Sequence, residues 1–142
     1  MQTIKAFLEK TPRPLFSVHA DQTVWDALNI LATNNIGALP VMENDQMVGI
    51  FSERDYARRV ELQGRRTQET PVRAVMTAQF ITVTPEQKMD ECMQIMTDKR
   101  VRHLPVMQAD QLIGLVSIGD VLFVMISEQK QLIEQLQTYI SG

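Results

Sequence analysis

Two copies of a Ser-x-x-Asp motif are the part of this sequence best suited to binding chemistry. Ser52 and Asp55 form one copy, and Ser117 and Asp120 form the other. Each follows an apolar run and opens a helical pattern, so its backbone N–H groups and helix dipole favour an anion such as phosphate. The serine can donate a hydrogen bond, and the carboxylate can accept two ribose hydroxyls. The same spacing is that of a capping box, and one residue can serve both purposes.

Basic side chains flank only the second motif. Arg102 and His103 precede the strand before Ser117, where they would offer a phosphate a fixed cation and a second donor. The corresponding residues of the first copy are Gly37 and Ala38. The two positions are therefore predicted to be chemically unequal, and Arg54, inside the first motif, is a candidate to compensate there.

The motifs belong to a long internal repeat. A shift of 65 positions places residues 16–56 on residues 81–121 without a gap, so that Leu-Pro-Val-Met at 39–42 falls on 104–107 and Gly49 on Gly114. Two such units, each too small to bury a sufficient core alone, are expected to pack about a pseudo-twofold axis with two related clefts. Domain boundaries follow: a first repeat with an N-terminal helix at 1–62, a linker at 63–75, a second repeat at 76–124 and a C-terminal helix at 125–142.

Hydrophobic periodicity predicts a mixed α/β (α+β) fold in which each repeat reads strand, helix, strand, strand, helix. The first strands are expected near 16–18 and 81–83, and the paired strands near 38–42 with 47–51 and 103–107 with 112–116. Helix starts at Thr23 and Thr84 are both plausible capping sites but disagree by a few residues, so that boundary stays open. Glycine within the third strands permits close backbone approach.

Composition restricts the class of protein. The net charge is −3, and Cys92 is the only cysteine, which excludes an internal disulfide and suits a reducing compartment. No apolar run reaches the length of a membrane span and no signal peptide is evident, so a cytoplasmic location is expected. Six arginines crowd between Arg54 and Arg73. They are interpreted either as a solvated helix face or as a phosphate-binding patch.

Helices are also expected outside the repeats. Near the N-terminus, Ile4, Phe7 and Leu8 share one helical face. Near the C-terminus an apolar stripe recurs at spacings of three and four, comprising Val121, Met125, Leu132, Leu136 and Ile140. That stripe can either cover a core or pair two subunits, and both interpretations stay open.

Taken together, the duplication, Leu-Pro-Val, a glycine-containing strand and Ser-x-x-Asp resemble a tandem pair of cystathionine β-synthase (CBS) domains of the stand-alone prokaryotic type. The resemblance runs from about Ile4 to about Val124. It implies binding of adenine nucleotides, commonly AMP, ADP or ATP and in some members S-adenosylmethionine or NAD, in clefts between the repeats. It also implies a homodimer that acts as an energy or metabolite sensor, with no required cofactor.

The resemblance also assigns roles to positions. Asp55 and Asp120 would hold ribose hydroxyls, and Ser52 and Ser117 would approach ribose or phosphate. Arg102 and His103 match basic positions that meet the phosphate in some members. The segments around 11–16 and 76–81 match an adenine wall that usually crosses to the opposite repeat; their candidate residues are Thr11, Phe16, Met76, Thr77 and Ile81. Residues 12–14, Pro-Arg-Pro, lengthen the first of these segments relative to the second.

Function is therefore predicted as a regulatory, adenine-nucleotide-binding sensor that signals by reorientation of repeats or subunits, directed at a separate effector protein. A ligand-free scaffold for dimerisation is the alternative. His19 and His103 lie at non-equivalent positions, and no nucleophile–base pair or metal spacing appears, so no catalytic residue and no metal site are predicted. Slow nucleotide hydrolysis at Asp120 and DNA binding by the arginine cluster are the weaker hypotheses.

Overall fold

The computed structural model describes residues 1–141 and confirms the mixed α+β fold. The chain divides into two compact units. One unit contains residues 14–81, and the other combines Met1–Arg13 with the chain from Thr82 onward. Each unit therefore contains one repeat together with a segment that, in the sequence, lies next to the other repeat.

The unit of residues 14–81 carries a three-stranded sheet. Its elements are β1 (Val18–His19), α2 (Val24–Asn34), β2 (Ala38–Glu43), β3 (Gln46–Ser52) and α3 (Glu53–Asp55), and α1 (Ile4–Lys10) precedes them in the chain. The strand order is β1-β2-β3, with β1 parallel and β3 antiparallel to β2. A wider π-helix (Tyr56–Glu61) continues α3, and a short 3₁₀ turn (Val72–Ala74) follows. The core lies between α2 and the sheet, where Val24, Ala27 and Leu31 are buried.

The other unit contains α1 (Ile4–Lys10) and the second repeat. The repeat consists of α4 (Met89–Lys99), β4 (His103–Gln108), β5 (Gln111–Ser117) and α5 (Ile118–Ser141). Met89, Cys92 and Met96 form the buried face of α4, as the apolar spacing predicted. The predicted C-terminal helix is the continuation of α5, and Gly142, the last residue assigned to it, lies outside the described residues.

The predicted third strand of the second sheet is reduced to a single bridge, so that part of the expectation is wrong. Val83 pairs in parallel with Val106, but the ladder goes no further. In the unit of residues 14–81 the corresponding strand, β1, continues, because the Ala20 N–H donates to the Met42 carbonyl at 3.1 Å. The residue equivalent to Ala20 is Pro85, which has no N–H to donate.

Helices α2 and α4 begin at equivalent positions of the two repeats, directly after Thr23 and Lys88. The Thr23 hydroxyl accepts from the Asp26 N–H, and the Asp26 carboxylate accepts from the Thr23 N–H, so Thr23 caps α2 as predicted. Helix α4 begins at Met89, not near Thr84, and its N-cap is Lys88, which makes no side-chain capping bond. Lys88 is the equivalent of Thr23, so both helices start at the same repeat position. The Met89 N–H finds its partner in the Gln2 carbonyl instead.

Two matching segments cover the edges of the repeats. In one unit, the Ile4 and Lys5 N–H groups donate to the Gln87 and Pro85 carbonyls. In the other, the Val72 and Arg73 N–H groups donate to the Gln22 and Ala20 carbonyls. Since Gln22 and Ala20 are the repeat equivalents of Gln87 and Pro85, the N-terminal segment and the segment near residue 72 perform the same structural task.

The apolar stripe of α5 covers a core only at its beginning. Val121 is buried, whereas Leu132, Leu136 and Ile140 are 56%, 53% and 82% exposed. The interpretation that the whole stripe covers a core is therefore wrong for the chain as described. Helix α5 has 24 residues and α4 only 11, so the second half of α5 extends past the helix it packs against. Among residues 1–141, no helix has both the length and the apolar character needed to cross a membrane.

Candidate functional site

Asp55 lies at the N-terminus of α3 as a buried carboxylate. The Ser52 backbone N–H and hydroxyl donate to Asp55 Oδ2 at 2.9 and 3.0 Å, and the Asp55 N–H donates back to the Ser52 hydroxyl oxygen at 3.2 Å. Only 10% of the side chain is exposed. The capping-box interpretation is therefore correct for Ser52 and Asp55, and Asp55 Oδ1 is left to accept from other groups.

The segment after the linker supplies a donor for that second oxygen. The Thr77 hydroxyl donates to Asp55 Oδ1 at 3.0 Å. Thr77 is held in place by a backbone pair with Ile50 on β3, with N···O distances of 2.8 and 2.9 Å. Arg59 steadies the same segment, because its Nη1 donates to the Met76 carbonyl at 2.8 Å while its Nε lies 3.9 Å from Asp55 Oδ1.

Asp120 occupies the equivalent position at the N-terminus of α5. The Ser117 N–H donates to Asp120 Oδ2 at 2.8 Å, and the Asp120 N–H donates to the Ser117 hydroxyl at 3.2 Å. This side chain is 16% exposed. Both Ser-x-x-Asp motifs therefore form capping boxes, and in both an aspartate oxygen is presented to a group from outside the motif.

In this unit, that outside group is the guanidinium of Arg13. Its two terminal nitrogens donate to the two oxygens of Asp120, each at 2.7 Å, and Nη2 also donates to the Leu115 carbonyl at 2.8 Å. The guanidinium lies over the Phe7 ring, 5.1 Å from its centre. Burial acts to raise the pKa of Asp120, but the hydrogen bonds from Arg13 and from the Ser117 backbone together bring that pKa below its ordinary value.

Basic residues lie beside the second motif, as their spacing predicted. His103 is the cross-strand neighbour of Ser117, and the Arg102 carbonyl accepts the Ile118 N–H at 2.9 Å at the start of α5. Arg102 is exposed and His103 half-buried. In the first unit, Ala38 stands opposite Ser52 and the Gly37 carbonyl accepts the Glu53 N–H at 3.0 Å, so neither side chain supplies a charge.

The proposed adenine-wall residues are spread over both units. Met76 and Thr77 lie against β3 beside Asp55, and Ile81 is the half-buried last residue of that unit. Phe16 packs at the edge of the same core. Thr11 instead ends α1 in the other unit, where its N–H donates to the Phe7 carbonyl. Arg54 lies on the exposed surface of α3.

Arg13 is a residue of this site to which the sequence pattern assigned no role. The two structurally matched residues Leu8 and Met76 contact Gly114 and Gly49, which are themselves repeat equivalents. From Leu8 to Phe16 the chain advances 8 positions, but from Met76 to Ile81 only 5, so the first segment is three residues longer. Arg13 lies in this extra length, between two prolines that restrict the backbone on either side. An arginine whose backbone is restricted by a proline on each side was the feature of the sequence that could have indicated a role for Arg13.

Several arginines in the cluster between Arg54 and Arg73 have partners within their own unit. Arg73 donates to Glu43 at 2.7 Å and to Asp21 at 2.8 Å, and Arg59 binds the Met76 carbonyl. Arg58 and Arg65 are exposed. These contacts assign Arg59 and Arg73 a structural role within their own unit.

Comparison with known proteins agrees with this geometry. The sequence profile of the CBS domain matches the chain twice, over residues 10–62 and 72–127. The chain belongs to the CBS-domain family. It is a CBS domain pair, which is a regulatory ligand-binding module, as the resemblance predicted.

Named relatives support the same conclusion. The mitochondrial CBS domain-containing protein CBSX3 of Arabidopsis thaliana is 43% identical over 127 residues; the match covers 86% of this chain and 62% of that protein's length. A protein with CBS domains from Burkholderia ambifaria, whose structure has been solved, is 44% identical in sequence, with a TM-score of 0.86 over 90% of this chain and 96% of that one. The CBS domain pair of the protein MJ0100, solved with 5′-methylthioadenosine and S-adenosyl-L-methionine, shares the fold at 22% identity, with a TM-score of 0.79 over 90% of this chain and 98% of that one.

Proposed function

We propose that this CBS domain pair senses an adenine nucleotide, of the AMP, ADP or ATP type, and that Asp55 and Asp120 bind the ribose hydroxyls. The observation that carries the proposal is that both carboxylates occupy the third residue of a helix directly after a strand, with one oxygen held by the serine of the capping box. A carboxylate fixed in this way is oriented before a ligand arrives, which lowers the entropic cost of binding.

The chemistry of the two positions suits an adenosine group. A carboxylate is an acceptor for the paired hydroxyls of a ribose, and the N–H groups at a helix N-terminus favour a nearby phosphate. The ligands of the MJ0100 domain pair, 5′-methylthioadenosine and S-adenosyl-L-methionine, both contain adenosine. S-adenosylmethionine and NAD are accordingly the second choices of ligand for this chain.

A thermal-shift assay with AMP, ADP, ATP, S-adenosylmethionine and NAD tests the proposal. A ligand that binds only the folded chain stabilises it by about 2.7 kcal/mol at a hundredfold excess over its dissociation constant. Asp120→Asn is expected to remove most of the shift caused by AMP, since Arg102 and His103 lie beside that motif, and Asp55→Asn is expected to remove a smaller part.

Asp26→Asn is the matched control. Asp26 closes a capping box of the same kind with Thr23, but on α2 and outside both candidate positions. It should lower the melting temperature of the unliganded protein and leave the ligand-induced shift intact. If no compound of the panel moves the wild-type transition, the proposal is refuted.

A ligand-free scaffold for dimerisation is the second candidate, and the exposed apolar side of α5 favours it. Leu132, Ile133, Leu136 and Ile140 are all more than half exposed. Light scattering of the wild type and of Leu136→Glu tests whether α5 forms a dimer, and the thermal-shift assay with nucleotide separates the two candidates. The scaffold requires a dimer that Leu136→Glu dissociates, together with equal stability in the presence and absence of nucleotide.

The sensor proposal includes a homodimer that acts in the cytoplasm on a separate effector protein. The buried thiol of Cys92 fits a reducing compartment, and burial raises its pKa to about 11, which suppresses the reactive thiolate. No catalytic step is assigned to the chain in this proposal.

A further inference from the structure

The two carboxylates that the proposed function assigns to ribose have different partners for their outward oxygens. Asp55 Oδ1 accepts a hydrogen bond from the neutral Thr77 hydroxyl, while the Arg59 Nε lies 3.9 Å away, beyond hydrogen-bond distance. Both oxygens of Asp120 accept from the cationic guanidinium of Arg13. A hydroxyl can rotate and share its acceptor with a ligand, whereas a bidentate ion pair occupies the carboxylate along its whole outer edge.

A ribose that approaches Asp120 must therefore compete with Arg13. The guanidinium is about one-third exposed and makes a third bond to the Leu115 carbonyl. Uncharged adenosine can replace the Asp120 side of the ion pair with two hydroxyl donors, but it offers the displaced guanidinium no anion. Breaking the pair without replacing it would leave a partly desolvated charge, which is unfavourable.

A phosphorylated nucleoside removes that difficulty. Phosphate is a bidentate acceptor for guanidinium. It can therefore replace Asp120 as the partner of Arg13, while the ribose hydroxyls replace Arg13 as the donors to Asp120. The exposed Arg102 and the N-terminus of α5 add to the positive potential near this motif. The exchange conserves the number of charge-assisted hydrogen bonds only when the ligand carries an anion.

We infer that Arg13 is a specificity-determining residue, which restricts the Asp120 position to adenosine ligands that carry a phosphate while the Asp55 position also accepts uncharged adenosine. The inference rests on the proposed function, because it assigns the ligand class of one of its two positions. Arg13 comes from the three-residue extension of the N-terminal segment, so the two repeats differ in ligand class because of this extension.

Calorimetric titration of the full chain with AMP and with adenosine tests the inference. The Asp55→Asn background isolates the Asp120 position. There, AMP is expected to bind at least about tenfold more tightly than adenosine, the scale set by one charge-assisted hydrogen bond. Adding Arg13→Gln should weaken the binding of AMP and strengthen the binding of adenosine. The ratio of the two affinities should then fall below about threefold. A residue with a merely structural role would weaken both ligands together.

Arg73→Gln is the matched control, since Arg73 also forms a bidentate ion pair with a carboxylate, that of Glu43, but in the other unit. It should leave the AMP-to-adenosine ratio unchanged. Should Arg13→Gln fail to fold, Arg13→Lys keeps the charge without the bidentate geometry, and the ratio should then fall to an intermediate value.

The outcomes distinguish this inference from the function on which it rests. If Arg13→Gln and Arg13→Lys both leave the AMP-to-adenosine affinity ratio of the Asp55→Asn background unchanged, the role of Arg13 is refuted and the sensor function is not. Binding that vanishes completely in Asp55→Asn also refutes it, because the Asp120 position would then take no ligand. If wild-type protein binds neither compound, nor any other of the panel, the sensor function itself is refuted.

Discussion

Met76 packs directly onto the backbone of Gly49. A β-carbon added at Gly49 would lie 2.5 Å from the Met76 sulfur and 3.1 Å from the Thr77 carbonyl oxygen. Gly114 has the same relation to Leu8, but there the nearest atom, Leu8 Cδ1, lies 3.1 Å away. In both units a side chain of the covering segment thus occupies the space that a side chain on the third strand would need.

Gly49→Ala is therefore expected to destabilise the protein more than Gly114→Ala. The first substitution must displace the Met76 side chain and also crowds the Thr77 carbonyl, which is fixed by its backbone pair with Ile50. We expect a loss of about 2 kcal/mol for Gly49→Ala and less than about 1 kcal/mol for Gly114→Ala, from the usual cost of overpacking. Urea denaturation of both variants measures the difference; equal losses would contradict the close packing at Gly49.

Removal of the Thr77 hydroxyl should cost stability without changing side-chain volume. Thr77→Val takes away a donor to the buried Asp55 carboxylate, and we expect a loss of about 1 to 3 kcal/mol in the free energy of unfolding. Thr97→Val is the control, because the Thr97 hydroxyl donates only to the Met93 carbonyl on the exposed side of α4. Chemical denaturation that finds both variants equally stable would show that Asp55 does not depend on Thr77.

The two hairpin turns offer an internal comparison of turn residues. Both central residues have positive φ in each hairpin, with Asn44 at 52° and Asp45 at 61° in the first, and Ala109 at 48° and Asp110 at 64° in the second. Asparagine tolerates this region better than alanine. Ala109→Asn is thus expected to stabilise the protein by about 0.5 to 1 kcal/mol, from the cost of a left-handed conformation.

The reciprocal substitution Asn44→Ala controls for this prediction. It should lower the melting temperature by about as much as Ala109→Asn raises it, because the two hairpins have the same strand register. Differential scanning calorimetry measures both shifts. An unchanged or lowered melting temperature for Ala109→Asn would mean that the turn is not limited by the conformation of Ala109.

Acid should weaken the ion pair between Arg13 and Asp120. The pKa of Asp120 is lower in the folded chain than in the unfolded one, so its contribution is complete above the unfolded value of about 4 and is lost as the pH falls through the folded value. We expect the free energy of unfolding of the wild type to exceed that of Asp120→Asn by about 1 to 2 kcal/mol at pH 7. This difference should shrink steadily below pH ~4.

Urea midpoints of wild type and Asp120→Asn between pH 7 and pH 2.5 give this difference directly. Both proteins should retain some acid sensitivity, because the hydrogen bonds from Arg73 also lower the pKa values of Asp21 and Glu43. A difference that stays constant down to pH 2.5 would contradict the predicted coupling.

Much of the fold could be predicted because the sequence repeats itself. A pattern found twice at a constant separation of 65 residues fixes the order of elements, and the Ser-x-x-Asp spacing is a local signal for a helix start. The loss of the third strand in the second sheet depended on one atom, the missing N–H of Pro85. That consequence is visible only once Ala20 is known to donate at the same place.

Arg13 could not be found in the same way, because its partner lies 107 residues away and no repeat equivalent exists to compare. The π-helix from Tyr56 to Glu61 was also missed, since the sequence predicted that a helix opens after Ser52 but gave no sign of a change in its pitch. Local patterns predict local hydrogen bonds, and these features depend on long-range packing or on a change in helical pitch.

The exchange of covering segments has a consequence for synthesis on the ribosome. Residues 14–81 are contiguous, so all residues of that unit have been translated once Ile81 is added. Helix α1 precedes this stretch in the chain, yet the carbonyls of Pro85 and Gln87 that accept from its first N–H groups are translated about eighty residues after it. Helix α1 therefore lacks these hydrogen-bond partners until the second repeat has been translated.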